Sequence, residues 1–119
     1  MFCEIEKKFG VNSSTYFFQT GLSRETFKGP LDSIEIDYTI DSVQVKNVIS
    51  NLKQKGYEIG LHGSVLSYKD LGQLRSEKFK LLSITKDRFI GIRQHRLLME
   101  IPETWEIQAK EGFIYDTTY

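Results

Sequence analysis

The apolar positions fall into short runs whose period changes along the chain. Phe2, Ile5 and Phe9 recur at helical spacing and Gly10 follows as a natural stop, which predicts an opening helix. Residues 14–19 carry Tyr16, Phe17 and Phe18 in a row, the pattern of a buried strand. Residues 20–33 hold Gly21, Gly29 and Pro30 and read as a loop, and residues 33–38 alternate around Ile34 and Ile36 as a short strand or extended segment. Val45, Val48, Ile49 and Leu52 then occupy i, i+3, i+4 and i+7, one apolar stripe of a helix. Asp41 or Ser42 can cap it and Gly56 can end it. Residues 57–62 form the next strand. A helix from about residue 69 into the early 80s presents Leu71, Leu74, Leu81 and Leu82 inward. Residues 91–96 read as a third strong strand. Pro102 opens a helix through Trp105 and Ala109 that Gly112 closes, and residues 113–118 are the last strand.

Strands separated by helix-length crossovers predict an α/β domain with a mostly parallel sheet. Right-handed crossovers bring the C-terminal strand ends to one side, where such folds bind ligands.

Composition narrows the partners. At 119 residues the chain is expected to be one domain, and 39% apolar with 27% charged residues is ordinary for a globular fold. Sixteen basic and sixteen acidic residues cancel, so no global charge draws the chain to nucleic acid or to an anionic membrane. Cys3 is the single cysteine, which excludes an intrachain disulfide and a cysteine zinc cluster; it reads as a small buried side chain or a free thiol. No apolar run approaches the roughly 20 residues of a membrane span. The first ten residues are charged where a secretory leader is apolar, so cytoplasm is the default localisation.

Strand alternation then singles out one face. In residues 57–62 and 91–96, Ile59, Leu61 and Ile92 suit a helix-covered side. Gly60, His62, Arg93 and His95 share the opposite side, where His and Arg are expected to line a polar cavity because an unpaired cation is costly in an apolar core. His62 and His95 are the two histidines of the chain, each ending its strand. Adjacent strands lie about 4.8 Å apart, so the two imidazoles can converge on one metal; a strand-end histidine is also commonly a hydrogen-bonded structural residue. No HExxH motif, Walker loop, GxGxxG fingerprint or GxSxG elbow is present. Trp105 is expected to pack its helix on the sheet, and Asp37 and Tyr38 are weaker candidates for the cavity.

Several segments resemble a known family. Gly56-Tyr57-Glu58-Ile59-Gly60-Leu61-His62-Gly63-Ser64 is similar to the second motif of polysaccharide deacetylases. Gly91-Ile92-Arg93-Gln94-His95-Arg96-Leu97 resembles a GVRQHYL segment of one branch of that superfamily. Pro102-Glu103-Thr104-Trp105 and Gly112-Phe113-Ile114-Tyr115-Asp116-Thr117-Thr118 resemble that branch's PETW and GF.YDST segments, and Gly10-Val11 followed by Thr15-Tyr16-Phe17-Phe18 resembles its second strand. The resemblance implies part of a distorted (β/α) barrel and metal-dependent removal of acyl groups from carbohydrate, with a carboxylate as general base. It makes His62 a ligand of a divalent metal, zinc above all, and Arg93 an orienting residue for the base. Ser64 matches the small hydroxyl residue that follows the ligand histidine, though a local turn hydrogen bond explains it equally. Tyr68 and Asp116 are candidates to contact a sugar.

The sequence also departs from the family. Leu66 stands where a second histidine is usual, and His95 replaces a proline of the common third motif and is expected to supply the missing ligand. The Asp-bearing first motif and the closing strand with the last histidine motif have no counterpart in the chain. Residues 1–119 are therefore expected to be a single, incomplete deacetylase-like domain, with sheet edges open to self-association. The competing expectation is a non-catalytic barrel remnant that binds carbohydrate or a protein partner.

Overall fold

The computed structural model describes residues 2–18, 39–88 and 90–119. The loop and extended segment read from residues 20–38, with Asp37 and Tyr38, lie outside the described residues. Helix α1 (Phe2–Phe9) ends at Gly10, whose φ of +66° is left-handed. It leads into strand β1 (Ser14–Phe18). Helix α2 (Val43–Gln54) is capped by Ser42, whose side chain accepts from the Val45 N–H at 3.3 Å. It closes in a Schellman motif. The Gly56 N–H donates to the Lys53 carbonyl at 2.9 Å and the Tyr57 N–H to the Leu52 carbonyl at 3.0 Å, with Gly56 at φ +83°. This tight reversal delivers the chain into β2 (Glu58–Gly63). Helix α3 (Leu71–Thr85) is capped by Asp70, and β3 (Ile92–Gln94) follows. Helix α4 is Glu103–Lys110, and Gly112 at φ +71° ends it.

The sheet order is β1-β2-β3 and both pairings are parallel. The expected α/β fold of strand–helix units is therefore present, with a three-stranded sheet that does not close into a barrel among the described residues. As the alternation predicts, Ile59, Leu61 and Ile92 face the helices. There they join Phe17, Ile40, Ile49, Leu74, Leu81 and Ile90 in one buried cluster. No helix among the described residues is long and apolar enough to cross a membrane.

Four details differ from the sequence reading. The α2 stripe that packs on the core is Val45, Ile49 and Leu52, and Val48, one position to the side of Ile49, is 51% exposed. The inner face of α3 is Leu74, Glu77, Leu81 and Thr85, a regular 3–4 spacing that puts a carboxylate where only leucines were expected. Trp105 is 50% exposed; α4 turns Thr104 and Gln108 inward, and Trp105 lies one position off that row. Residues 113–118 run parallel beside β3 but make a single bridge, Asp116 with Ile92. The ladder stops there because Thr118 Oγ1 accepts the Gln94 N–H at 3.0 Å, and Asp116 Oδ1 accepts the Thr118 N–H at 2.6 Å. Side-chain acceptors have replaced backbone ones.

Candidate functional site

The C-terminal ends of the three strands meet at one spot. In the parallel register Phe18 pairs with His62 and His62 with Arg93, so these three side chains form a row across the sheet. The strand expected over residues 91–96 is shorter than its pattern. After Gln94 the chain enters a single 3-10 turn, His95–Leu97, in which Arg96 and Leu97 take φ of +54° and +56°. That left-handed turn is an uncommon conformation for non-glycine residues. His95 is buried, and its Nδ1 lies 3.1 Å from His62 Nε2. One of these nitrogens donates and the other accepts. The rings stand edge to face with centroids 5.2 Å apart, and Phe18 packs on both, at 5.6 Å from His62 and 5.2 Å from His95. The expected convergence of the two histidines is thus present in the fold.

The rest of that face is not the polar cavity expected from its glycines. A Cβ on Gly60 would lie 2.6 Å from the Tyr16 ring, and one on Gly91 would lie 2.0 Å from the Tyr115 ring. The glycines make room for two aromatic rings that cover the face below the histidines. Tyr115 donates from its hydroxyl to Glu58, which also accepts from Ser14 Oγ at 3.0 Å, and Thr117 Oγ1 donates to the Tyr16 hydroxyl at 3.1 Å. Burial, reinforced by the Glu58 hydrogen bond, pushes the Tyr115 hydroxyl pKa well above its ordinary value.

The other expected site residues are placed as follows. Arg93, beside His62 in register, donates from its guanidinium to the Thr117 carbonyl. The Ser64 N–H donates to Glu77 Oε2 at 3.1 Å. Tyr68 donates to Glu100 Oε1 at 3.4 Å, and the Lys69 ammonium sits 5.2 Å from its ring centre. Asp116 alternates with Tyr115 and Thr117, which puts it on the helix-covered side, where its Oδ1 is held by Thr118. His62, His95 and Arg93 therefore share one end of one face, and Tyr68 and Asp116 are engaged elsewhere. Ser64 is tied to Glu77 through its backbone N–H, its hydroxyl being buried with no hydrogen-bond partner among the described residues. Cys3 is a half-buried free thiol on α1.

Two residues important here escaped the sequence reading. Phe18 was legible only as a strand residue; the register brings it to the histidines. Glu77 carried a usable signal, an acidic residue three after Leu74 and four before Leu81. Its carboxyl is pushed up by burial, against the pull of hydrogen bonds from Ser64 and Gln73.

The donor set can be tested against a metal. Two bonds of about 2.1 Å at a tetrahedral angle hold two nitrogens about 3.4 Å apart, close to the observed separation. A catalytic zinc site takes about three protein ligands. Among the described residues no group of three His, Cys, Asp or Glu side chains is arranged to hold an ion. The described residues thus offer two ligands of such a site. Comparison with known proteins adds no family: no family model matches the chain, and neither a curated protein nor a solved structure matches it significantly.

Proposed function

We propose that this chain is the central part of a polysaccharide deacetylase-like hydrolase, and that His62 and His95 are two ligands of its divalent metal, zinc in the first instance. The observation that carries the reading is the 3.1 Å approach of two imidazole nitrogens at the C-terminal ends of adjacent parallel strands. The motif resemblance supplies the substrate class, acylated carbohydrate. A bound metal in such a site polarises the acyl carbonyl and lowers the pKa of water. The chain's own part is to hold the two rings in one orientation, with Phe18 excluding water on one side. Arg93 adds a fixed cation beside His62. The general base and third ligand belong to residues outside this cluster. The chain by itself is therefore expected to release no appreciable acetate from an acetylated chito-oligosaccharide, since a general base is typically worth about 10²–10⁴-fold.

The test is calorimetric titration of the purified chain with Zn²⁺. Weak one-to-one binding is expected, and His62→Ala and His95→Ala should each weaken it at least about tenfold. Zinc binding that neither substitution alters, or no binding at all, overturns the reading. Carbohydrate binding without zinc would point to a non-catalytic remnant of the barrel, a role favoured by the tyrosines that fill the face below the histidines.

A further inference from the structure

Beyond the last register pair, Gly63 with Gln94, strands β2 and β3 part company. One enters the turn at 64–67 and the other the 3-10 turn that carries His95. No ladder hydrogen bond fixes their separation from there on. A set of buried polar side chains on the helix side does. Ser67 Oγ lies 3.0 Å from the Ser64 carbonyl and 3.3 Å from Gln94 Oε1, bridging the two chain ends. Glu77 Oε2 accepts the Ser64 N–H, and Glu77 Oε1 accepts from Gln73 Nε2 at 2.7 Å. The Gln94 N–H is held by Thr118. Gln94 is 0% and Glu77 1% exposed, and Ser67 is fully buried. The packing is tight enough that a Cβ on Gly63 would lie 2.2 Å from Gln94 Oε1 and 2.8 Å from Ser67 Oγ.

Such a network is an expensive way to fill a core. A buried carboxylate and a buried amide cost free energy that a leucine in the same space does not. What it provides is direction, because a hydrogen bond constrains the distance and angle between two groups, whereas the burial of apolar area is non-directional. The network adjoins the histidines along the chain, Ser64 lying two residues after His62 and Gln94 directly before His95. We infer that Glu77, Ser67 and Gln94 are positioning residues, a buried brace that sets the distance between the His62 and His95 rings from the opposite face of the sheet. The inference gives the two-histidine site its support and rests on the metal reading only for its purpose, since the ring contact exists without an ion.

The full chain labelled with ¹⁵N tests this by the imidazole nitrogen signals and the ring-to-ring nuclear Overhauser effect between His62 and His95, both recorded without metal. Ser67→Ala and Gln94→Leu are expected to keep the native far-UV dichroism while the imidazole signals shift and the ring contact fades. Glu77→Gln, which keeps an acceptor, should leave the contact in place, whereas Glu77→Leu should lose it. Zinc affinity in the first two variants should fall about ten- to a hundred-fold. If Glu77→Leu does not fold, Ser67→Ala, which removes one oxygen, decides the matter. Folded Ser67→Ala and Gln94→Leu with unchanged imidazole signals overturn the brace, even where zinc still needs both histidines. A wild-type chain that binds no zinc, with ring signals that follow the brace substitutions, overturns the metal reading and upholds the brace.

Discussion

The two faces of the β1-β2-β3 sheet are covered by different means. On the helix side, Ile59, Leu61 and Ile92 meet aliphatic residues of α2 and α3, and a hydrogen-bonded polar cluster gathers where the strands end. On the other side the sheet is covered by its own neighbours: Tyr16 lies over Gly60, and Tyr115, from the segment beside β3, lies over Gly91. One face is held by burial of apolar area, which is indifferent to direction. The other is held by rings and hydrogen bonds in fixed places. The histidines stand at the end of the second kind of face, backed by polar residues of the first.

The largest expected effect separates the faces by one residue. Leu61, fully buried, should cost about 2–5 kcal/mol on replacement by Ala. His62→Ala, on the other face, should cost about 1 kcal/mol through lost ring contacts. Urea unfolding followed by far-UV circular dichroism measures both, and equal losses would break the comparison. Next in size is Gly91→Ala, whose new methyl must displace the Tyr115 ring, at about 1–3 kcal/mol. In a Tyr115→Ala background the same substitution should be nearly neutral; simple additivity of the two would show that the ring does not cover the glycine.

The smallest effects are in pH dependence, and each face supplies one. The folded pKa of Tyr115 is raised, so its contribution is fully present below its ordinary value of 10.0 and lost as pH rises toward the folded value. Tyr115→Phe should lose about 0.5–1.5 kcal/mol at neutral pH and show a flatter stability curve in alkali. Glu77 is also raised, so its protonated form is favoured by folding. Stability should decline as pH climbs from the ordinary carboxyl value of 4.5 through the folded one, and Glu77→Gln should remove that decline. A steeper curve in either variant would reverse the assignment.

Much of this was legible in the sequence because period and parity are local. The strand–helix order and the parallel sheet follow from the periods along the chain, and the alternation in 57–62 and 91–94 places His62 and Arg93 on one face. His95 reaches His62 from the 3-10 turn after β3, which the alternation does not describe. The errors arise where tertiary contacts decide. Gly60 and Gly91 signal that something approaches closely, and whether that is a ligand or a tyrosine depends on a register with residues 16 and 115, distant in sequence. Residues 113–118 have strand composition, yet Thr118 and Asp116 divert the ladder with their own side chains. Glu77 shows the converse, since its helical phase pointed inward and only its charge argued otherwise.

Trp105 is the single tryptophan of the chain, and half of it lies in solvent. A half-exposed indole changes its surroundings less on unfolding than a buried one, so its fluorescence registers less of the loss of structure. The tyrosines whose surroundings change on unfolding are Tyr57, 8% exposed, and Tyr16 and Tyr115, packed over glycines of the sheet. Near-ultraviolet signals from tyrosine, not tryptophan emission, are thus the optical handle by which this molecule reports its own integrity.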